Sequence, residues 1–259
     1  MLLAALLFDQ KRMPLFYKTE VCVFDIIKTE MGFYRDALKE GAMKREYATM
    51  PESMANMEKW GFSWADYVTA IPAPLFLITT YKSNGLPNAS LHSWACFNGN
   101  EGGFYAILSR VHKSGHLYQT IHETNVAVLN FPTADLYEQC LSTISHNGFD
   151  MDELAQSGFT AEPARLVKAP RIKECFCHIE CRFLWEREIK EGDEYVLMCL
   201  EAVNICMDDE HLDESKKGRF GETGYVYNVR LLVNPEKIEE GDSGIAVLQK
   251  VEKAQIYVS

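Results

Sequence analysis

From Pro74 to Pro132 the spacing of apolar positions shortens into β-branched and aromatic runs punctuated by turn residues. Residues 75–81, 89–97 and 104–108 read as strands. Ser83-Asn84-Gly85-Leu86-Pro87 and Asn98-Gly99-Asn100-Glu101-Gly102-Gly103 separate them as turns, so the pattern predicts an antiparallel meander. Ser114 stands where it would N-cap a helix ending near Glu123, and 126–131 is a buried strand stopped by Pro132. Leu136, Tyr137, Cys140, Leu141 and Ile144 then recur at helical spacing over 134–145. Beyond a loop-rich stretch at 147–172, long strands are predicted at 176–189 and 195–207, joined by a hairpin turn at 190–194. Another strand follows at 225–233, then an amphipathic run over 245–258.

Ahead of Pro74 the periodicity is helical. Residues 33–50 fit an amphipathic helix, and a second short piece follows Pro51 as far as Lys59. Parallel α/β folds need a crossover helix after every strand, so six or more strands with only short helices between them predict a barrel or a sandwich. The expected division is a helical N-terminal extension over 1–70 and a mainly β domain over 71–259, with peripheral helices. No internal repeat or low-complexity segment interrupts it.

Composition narrows the function classes. Hydrophobic residues at 47% and aromatics at 12% of 259 residues supply a large core. A formal charge of −11 argues against nucleic acid as a partner, because phosphates demand a basic face. The eight cysteines sit in apolar strand settings and read as reduced thiols. The opening Met1 to Phe8 has no basic region before it, is too short to span a bilayer, and runs into Asp9-Gln10-Lys11-Arg12 without a cleavage site. The expectation is a cytoplasmic protein with no membrane partner.

Two segments carry chemistry. Ser109-Arg110-Val111-His112-Lys113-Ser114-Gly115 sets two cations, a hydroxyl and the N–H groups of a helix start together. Such a corner suits a phosphate; the alternative is a solvated basic turn. Along Asn88-Ala89-Ser90-Leu91-His92-Ser93-Trp94, strand alternation puts Asn88, Ser90 and His92 on one face and Ala89, Leu91 and Ser93 on the other. Small side chains there let a flat ring approach the backbone, although an ordinary half-buried strand has the same pattern. Gly241-Asp242-Ser243-Gly244 copies a serine-protease loop but lacks its histidine partner motif, and reads as a turn. Cys175, Cys177 and Cys181 fall on one strand face with His178 and Glu180 on the other, which fits buried thiols better than a zinc site, so no metal is expected.

The ordered set of these motifs resembles the flavin reductase-like family of FMN-binding split barrels, which includes flavoredoxins. It comprises Leu-Ile-Thr-Thr-x4-Gly-x-Pro-Asn-Ala-Ser-x-x-Ser-Trp ending at Trp94, Ser-Arg-x-x-Lys-Ser at 109–114, and Ile-x-Glu-Thr-x3-Val-Leu-Asn-x-Pro at 121–132. Residues 166–175 and 178–181 extend the likeness, which covers roughly 70 to 235. The resemblance implies a six-stranded antiparallel split β-barrel, a homodimer, and non-covalent FMN. Asn88, Ala89, Ser90, Ser93 and Trp94 would line the flavin, and Ser109, Arg110, Lys113 and Ser114 would hold its phosphate. Tyr225 and Asn228 would close the site. The family often has Lys-Asp-Thr where this chain has Lys113-Ser114-Gly115, so here Ser114 would supply the hydroxyl and the N-cap. The implied activity passes electrons from NADH, NADPH or a reduced protein partner through FMN to free flavin or another acceptor. The alternative is an FMN-containing electron carrier without reductase activity of its own. No catalytic side chain is implied, since the flavin carries the chemistry. No G-x-G-x-x-G element is present, which agrees with nicotinamide stacking on a flavin instead of entering a Rossmann domain.

Overall fold

A computed structural model describes residues 46–52, 63–100, 102–231, 242–249 and 251. The helical readings over 33–50 and 51–59 lie almost wholly outside these residues, as does most of the run to 258. The chain divides into two compact units, Met1–Thr49 and Met50–Ser259, and all elements below belong to the second.

Helix α1 (Trp64–Thr69) begins at Ser63, whose hydroxyl accepts the Ala65 N–H at 3.2 Å while the Asp66 carboxylate accepts the Ser63 N–H at 3.1 Å. Strands β1 (Ala73–Pro74), β2 (Phe76–Tyr81), β3 (Pro87–His92), β4 (Ala95–Asn100) and β5 (Gly103–His112) follow. Then come α2 (His116–Thr124), β6 (Val126–Phe131), a single 3-10 turn, α3 (Tyr137–Ser145) and α4 (Glu153–Gln156). The chain continues through β7 (Ala161–Pro163), β8 (Pro170–Ile172), β9 (Cys177–Glu188), β10 (Tyr195–Met207), α5 (Asp209–Leu212), β11 (Val226–Leu231) and β12 (Asp242–Val247). The architecture is mainly β, as expected. Where Gly241 to Gly244 was expected to turn, Asp242–Val247 instead pairs along β11.

The main sheet is antiparallel and runs β3-β2-β6-β9-β10-β5-β4. Seven strands form it where six were expected, because the run read as one strand over 89–97 breaks at Ser93-Trp94. Its first half pairs with β2, from Phe76 opposite His92, and its second half pairs with β5, from Ala95 opposite Leu108. The two edge strands are therefore halves of one run. The Ser109 N–H donates to the Trp94 carbonyl at 2.8 Å and fastens the bend to β5.

Strand β5 runs four residues past its predicted end. Between Leu108 and Val111 it sets Ser109 and Arg110 against Leu197 alone on β10, a bulge in which Arg110 adopts a left-handed φ of 57°. Non-glycine residues pay a steric cost in that region, so surrounding contacts must hold it. Helix α2 consequently starts later than predicted, with Gly115 as N-cap and no side-chain cap.

Inside the sheet, Phe76, Ile78, Leu108, Ile121, Leu129, Phe131, Phe176 and Met198 pack with little or no exposure. Phe76 and Phe97 both contact Phe131, with ring centres 5.3 and 5.8 Å away. On the other face of β2, Leu77 joins Ala89, Cys140, Leu154 and Phe159 in a second cluster. Cys177 and Cys181 point into the main core; Cys175, which precedes β9, packs in the second cluster instead. Burial pushes the Cys140 thiol up to about 12 and Cys177 to about 11, so both stay protonated at neutral pH. All seven described cysteines are free thiols.

Buried polar groups join the strands. Asn130 donates to the Leu77 and Val128 carbonyls and to Thr79 Oγ1, while its own oxygen accepts the Ile172 N–H at 3.0 Å and His178 Nδ1 at 2.9 Å. Glu180 is fully buried on the outer face of β9. Its carboxylate accepts the Arg165 N–H at 2.9 Å and the Leu166 N–H at 2.6 Å, together with Arg171 and Asn204 side-chain donors. Burial pushes its pKa up, but the four donors outweigh that and hold it at about 2. Because this folded value lies below the ordinary 4.5, ionisation of Glu180 stabilises the fold above pH 4.5, and the contribution is lost as pH falls toward 2. Urea unfolding of Glu180→Gln should therefore change less between pH 4.5 and 2 than that of the unaltered protein. Parallel pH profiles would mean that Glu180 is not a source of acid sensitivity.

Candidate functional site

The bend at Ser93-Trp94 gathers several of the sequence-derived residues. The Arg110 guanidinium lies 5.3 Å from the Trp94 ring centre and 4.9 Å from that of Tyr195, because the bulge turns it out of the normal strand alternation. Arg230 approaches the same indole at 5.5 Å. Arg230 donates to Asn228 Oδ1 at 3.3 Å, and Asn228 Nδ2 donates to Ser93 Oγ at 3.0 Å. Buried His92 donates Nε2–H to the Trp94 carbonyl at 3.0 Å; burial lowers its pKa to about 4, so it is neutral at physiological pH. A cavity of about 160 Å³ opens here, lined by Asp66, Thr69, Ser93, Trp94, Asn228 and Arg230 among others. Ser93, Trp94, Ser109, Arg110 and Asn228 are thus brought together.

At the opposite end of β3, Asn88 is fully buried, and its Nδ2 reaches Ser90 Oγ at 3.3 Å. Its Oδ1 has no hydrogen-bond partner among the described residues. An orphaned buried acceptor is costly and marks a place where a ligand or water could donate. The Ala89 side chain packs into the second cluster, and its N–H donates to Glu153 Oε2 at 2.8 Å. The other Glu153 oxygen takes Lys82 Nζ at 2.9 Å, with both side chains 1% exposed. Lys82 also donates to the Gly148 and Met151 carbonyls, and His116 Nδ1 lies 3.8 Å from Glu153. A buried ion pair thereby fixes the strand that carries Asn88 and Ser90.

The basic corner differs from its sequence picture. Lys113 forms an ion pair with Glu188, which raises the lysine pKa and lowers that of the glutamate. The Ser114 N–H donates to His112 Nδ1 at 3.1 Å and its hydroxyl lies 2.8 Å from the same nitrogen. A backbone N–H can only donate, so Nδ1 is the acceptor and the proton sits on Nε2, 3.7 Å from Glu194. Ser114 serves that contact and not the predicted cap, and two carboxylates share the corner with its cations. His112 packs on Tyr195 at 4.8 Å, which links the corner to Arg110. Tyr225 stands apart in the core: its ring meets Phe131 and Phe176, and its hydroxyl donates to Cys177 Sγ at 3.7 Å.

Sequence reading missed Arg230, Tyr195, Glu153 and Lys82. Arg230 was accessible, since it shares a strand face with Asn228 two residues earlier. Glu153 lay in the stretch read as loop, where no spacing connects it to Ala89.

Comparison with known proteins adds a family. A family model described as a flavin reductase like domain matches residues 68–228. An uncharacterized protein of Methanothermobacter thermautotrophicus is 28% identical over 142 residues, covering 54% of this chain and 66% of that relative. The chain thus aligns with just under two thirds of the relative's length. Flavoredoxin of Desulfovibrio vulgaris (Miyazaki F) superposes with a TM-score of 0.59 at 19% identity, over 71% of this chain and 91% of that one. A protein of Shewanella frigidimarina described as a putative flavin reductase with split barrel domain gives a TM-score of 0.59 at 16% identity, over 82% of this chain and 100% of that one. At these identities the structural likeness is one of fold.

The ion pair under β3 yields a measurable expectation. Glu153→Ala leaves Lys82 buried without its partner carboxylate, and should cost about 3–5 kcal/mol in urea unfolding. The neutral pair Lys82→Met with Glu153→Leu should recover part of that loss, the remainder being the Ala89 N–H and the Gly148 and Met151 carbonyls left without these partners. Equal destabilisation in both variants would place the cost elsewhere than in the uncompensated charge.

Proposed function

Because the chain belongs to the flavin reductase like domain family, we propose that it is an FMN-binding oxidoreductase that moves electrons from reduced nicotinamide, or from a reduced partner protein, to free flavin or another acceptor. The observation that carries this reading is the pairing of an orphaned buried acceptor, Asn88 Oδ1, with an aromatic and cationic cluster at the far end of the same strand run, where Arg110 and Arg230 flank Trp94. An aromatic anion bearing N–H or hydroxyl donors is the ligand class that answers both. FMN has that chemistry and, when bound, supplies a two-electron acceptor in its ring.

In this reading each group of residues has a binding task. Asn88, Ala89, Ser90, Ser93 and Trp94 line the ring, and Asn228 holds the Ser93 hydroxyl in place. Ser109, Arg110, Lys113 and Ser114 take the phosphate end. The Glu153 contact to the Ala89 N–H keeps the lining strand in register without touching ligand. Tyr225 has no binding task in this reading, since its ring is held in the core against Phe131 and Phe176. The assembly proposed is a homodimer in the cytoplasm; no helix among the described residues is long and apolar enough to cross a membrane.

Two experiments test these assignments. Purified protein should be yellow and should bleach at the flavin maximum on anaerobic addition of NADH or NADPH; colour without bleaching would leave an electron carrier and sink the reductase. Replacing Arg110 and Lys113 together by Ala should weaken FMN binding by about 3 kcal/mol, through loss of charge-assisted hydrogen bonds. Glu188→Gln should tighten it, because Lys113 then loses its competing carboxylate. An FMN titration in which neither variant moves would put the phosphate elsewhere.

A further inference from the structure

A second concavity lies away from every residue assigned to flavin. It has a volume of about 1140 Å³ and opens between the β2–β3 turn, the C-terminal end of α2 and the strap that joins β7 to β8. Small-molecule sites typically occupy roughly 300–1,000 Å³, so this groove has room for a ligand of that size with solvent beside it. The flavin residues named above do not line it.

The strap is built as a fixed wall. Its two ends pair as β7 and β8, with Ala161 opposite Ile172 and Pro163 opposite Pro170. Between them, buried Glu180 holds the Arg165 and Leu166 N–H groups. A fully buried carboxylate is a costly support for an exposed loop, and here it removes the freedom the strap would otherwise lose on binding a ligand.

The lining sets the ligand's chemistry. Leu166 is 54% exposed, and Val167 and Ala164 continue an apolar surface beside it. Arg165 and Lys168 flank that surface as exposed cations. Lys82 also borders the groove, but its ammonium is already neutralised by Glu153. Glu123 is the single acidic residue of the lining. Two cations bracketing an apolar shelf stand out in a chain of net charge −11.

We propose that this groove is a second ligand site, taking a small amphipathic anion whose apolar or aromatic body lies on Leu166 and Val167 and whose carboxylate, sulfonate or phosphate is held between Arg165 and Lys168. The site is independent of the flavin reading, and it stands or falls separately.

Isothermal titration calorimetry with 8-anilinonaphthalene-1-sulfonate, an aromatic sulfonate, tests it on the protein without FMN and in the presence of excess FMN. One saturable site per chain is expected, with affinity falling at least roughly tenfold in Arg165→Glu/Lys168→Glu. Both side chains are exposed, so folding should survive, and an FMN titration of the double variant should match that of the unaltered protein. A Leu166→Asp variant should weaken the probe likewise. Absence of saturable binding, stoichiometric displacement of the probe by FMN, or equal affinity in the charge-reversed variant would each overturn the proposal. A change in sedimentation coefficient on charge reversal would overturn it too, by assigning the groove to an interface between copies of the chain.

Discussion

The bend at Ser93-Trp94 is the constraint on which the rest of the sheet depends. A run that pairs with β2 up to His92 and with β5 from Ala95 onward belongs to both edges of the sheet at once. With the edges joined by two residues, the ordered strands must curl back on themselves, and the exposed hydrogen-bonding edges of an open sheet are largely removed. The Ser109 N–H bond to Trp94 then dictates where β5 can meet the bend. It also accounts for the bulge beside it. One extra residue in β5 is absorbed at Ser109-Arg110, and the left-handed Arg110 that results is held against two aromatic rings. Closure of the fold and the shape of the candidate site come from the same few residues.

Buried charge plays a second organising part, outside the barrel. The stretch 146–172 contains little regular structure, yet it is anchored at both ends by carboxylates that water does not reach. Glu153 fastens its first half to β2 and β3 through Lys82 and the Ala89 N–H, and Glu180 fastens its second half to β9. Such pairs are weak evidence for stability, since apolar replacements of the same shape can do as well. Their directional donors and acceptors do something an apolar contact cannot. They fix which backbone amides face which strand, and thereby set the register of β3 and the height of the strap.

How much of this could be read from the sequence follows from the range of each interaction. Strand 126–131 and the long strand 195–207 match the observed bounds, because their apolar runs end at Pro132 and at turn residues that act locally. The helix over 134–145 is likewise evident from spacing, apart from its first turn, which is 3-10. Residues 89–97 misled because the alternation of side chains continues smoothly through a bend that only the partner strands reveal. Ser114 misled for a related reason: a hydroxyl before a helix is a cap by local rules, but His112 two residues earlier competes for it. Of the site, the cluster of Ser93, Trp94, Arg110 and Asn228 was legible as residue types. Glu153 and Glu188 were not, since their partners are 64 and 75 residues away.

Glu188 and Glu194 change the electrostatic reading of the site. By sequence, the corner at 109–115 is a cationic patch waiting for a phosphate. In the fold, Lys113 already has Glu188, and His112 lies near Glu194, so an anion arriving there must compete with carboxylates of its own sign. Coulomb repulsion from a partly exposed carboxylate is screened and modest, so the corner is tempered and not closed. Arg110 is placed differently, against the faces of Trp94 and Tyr195, and a guanidinium stacked on rings has its plane fixed by them. The bulge that turns Arg110 toward the bend therefore decides where a guanidinium stands at this site, while Lys113 answers to the carboxylate across from it.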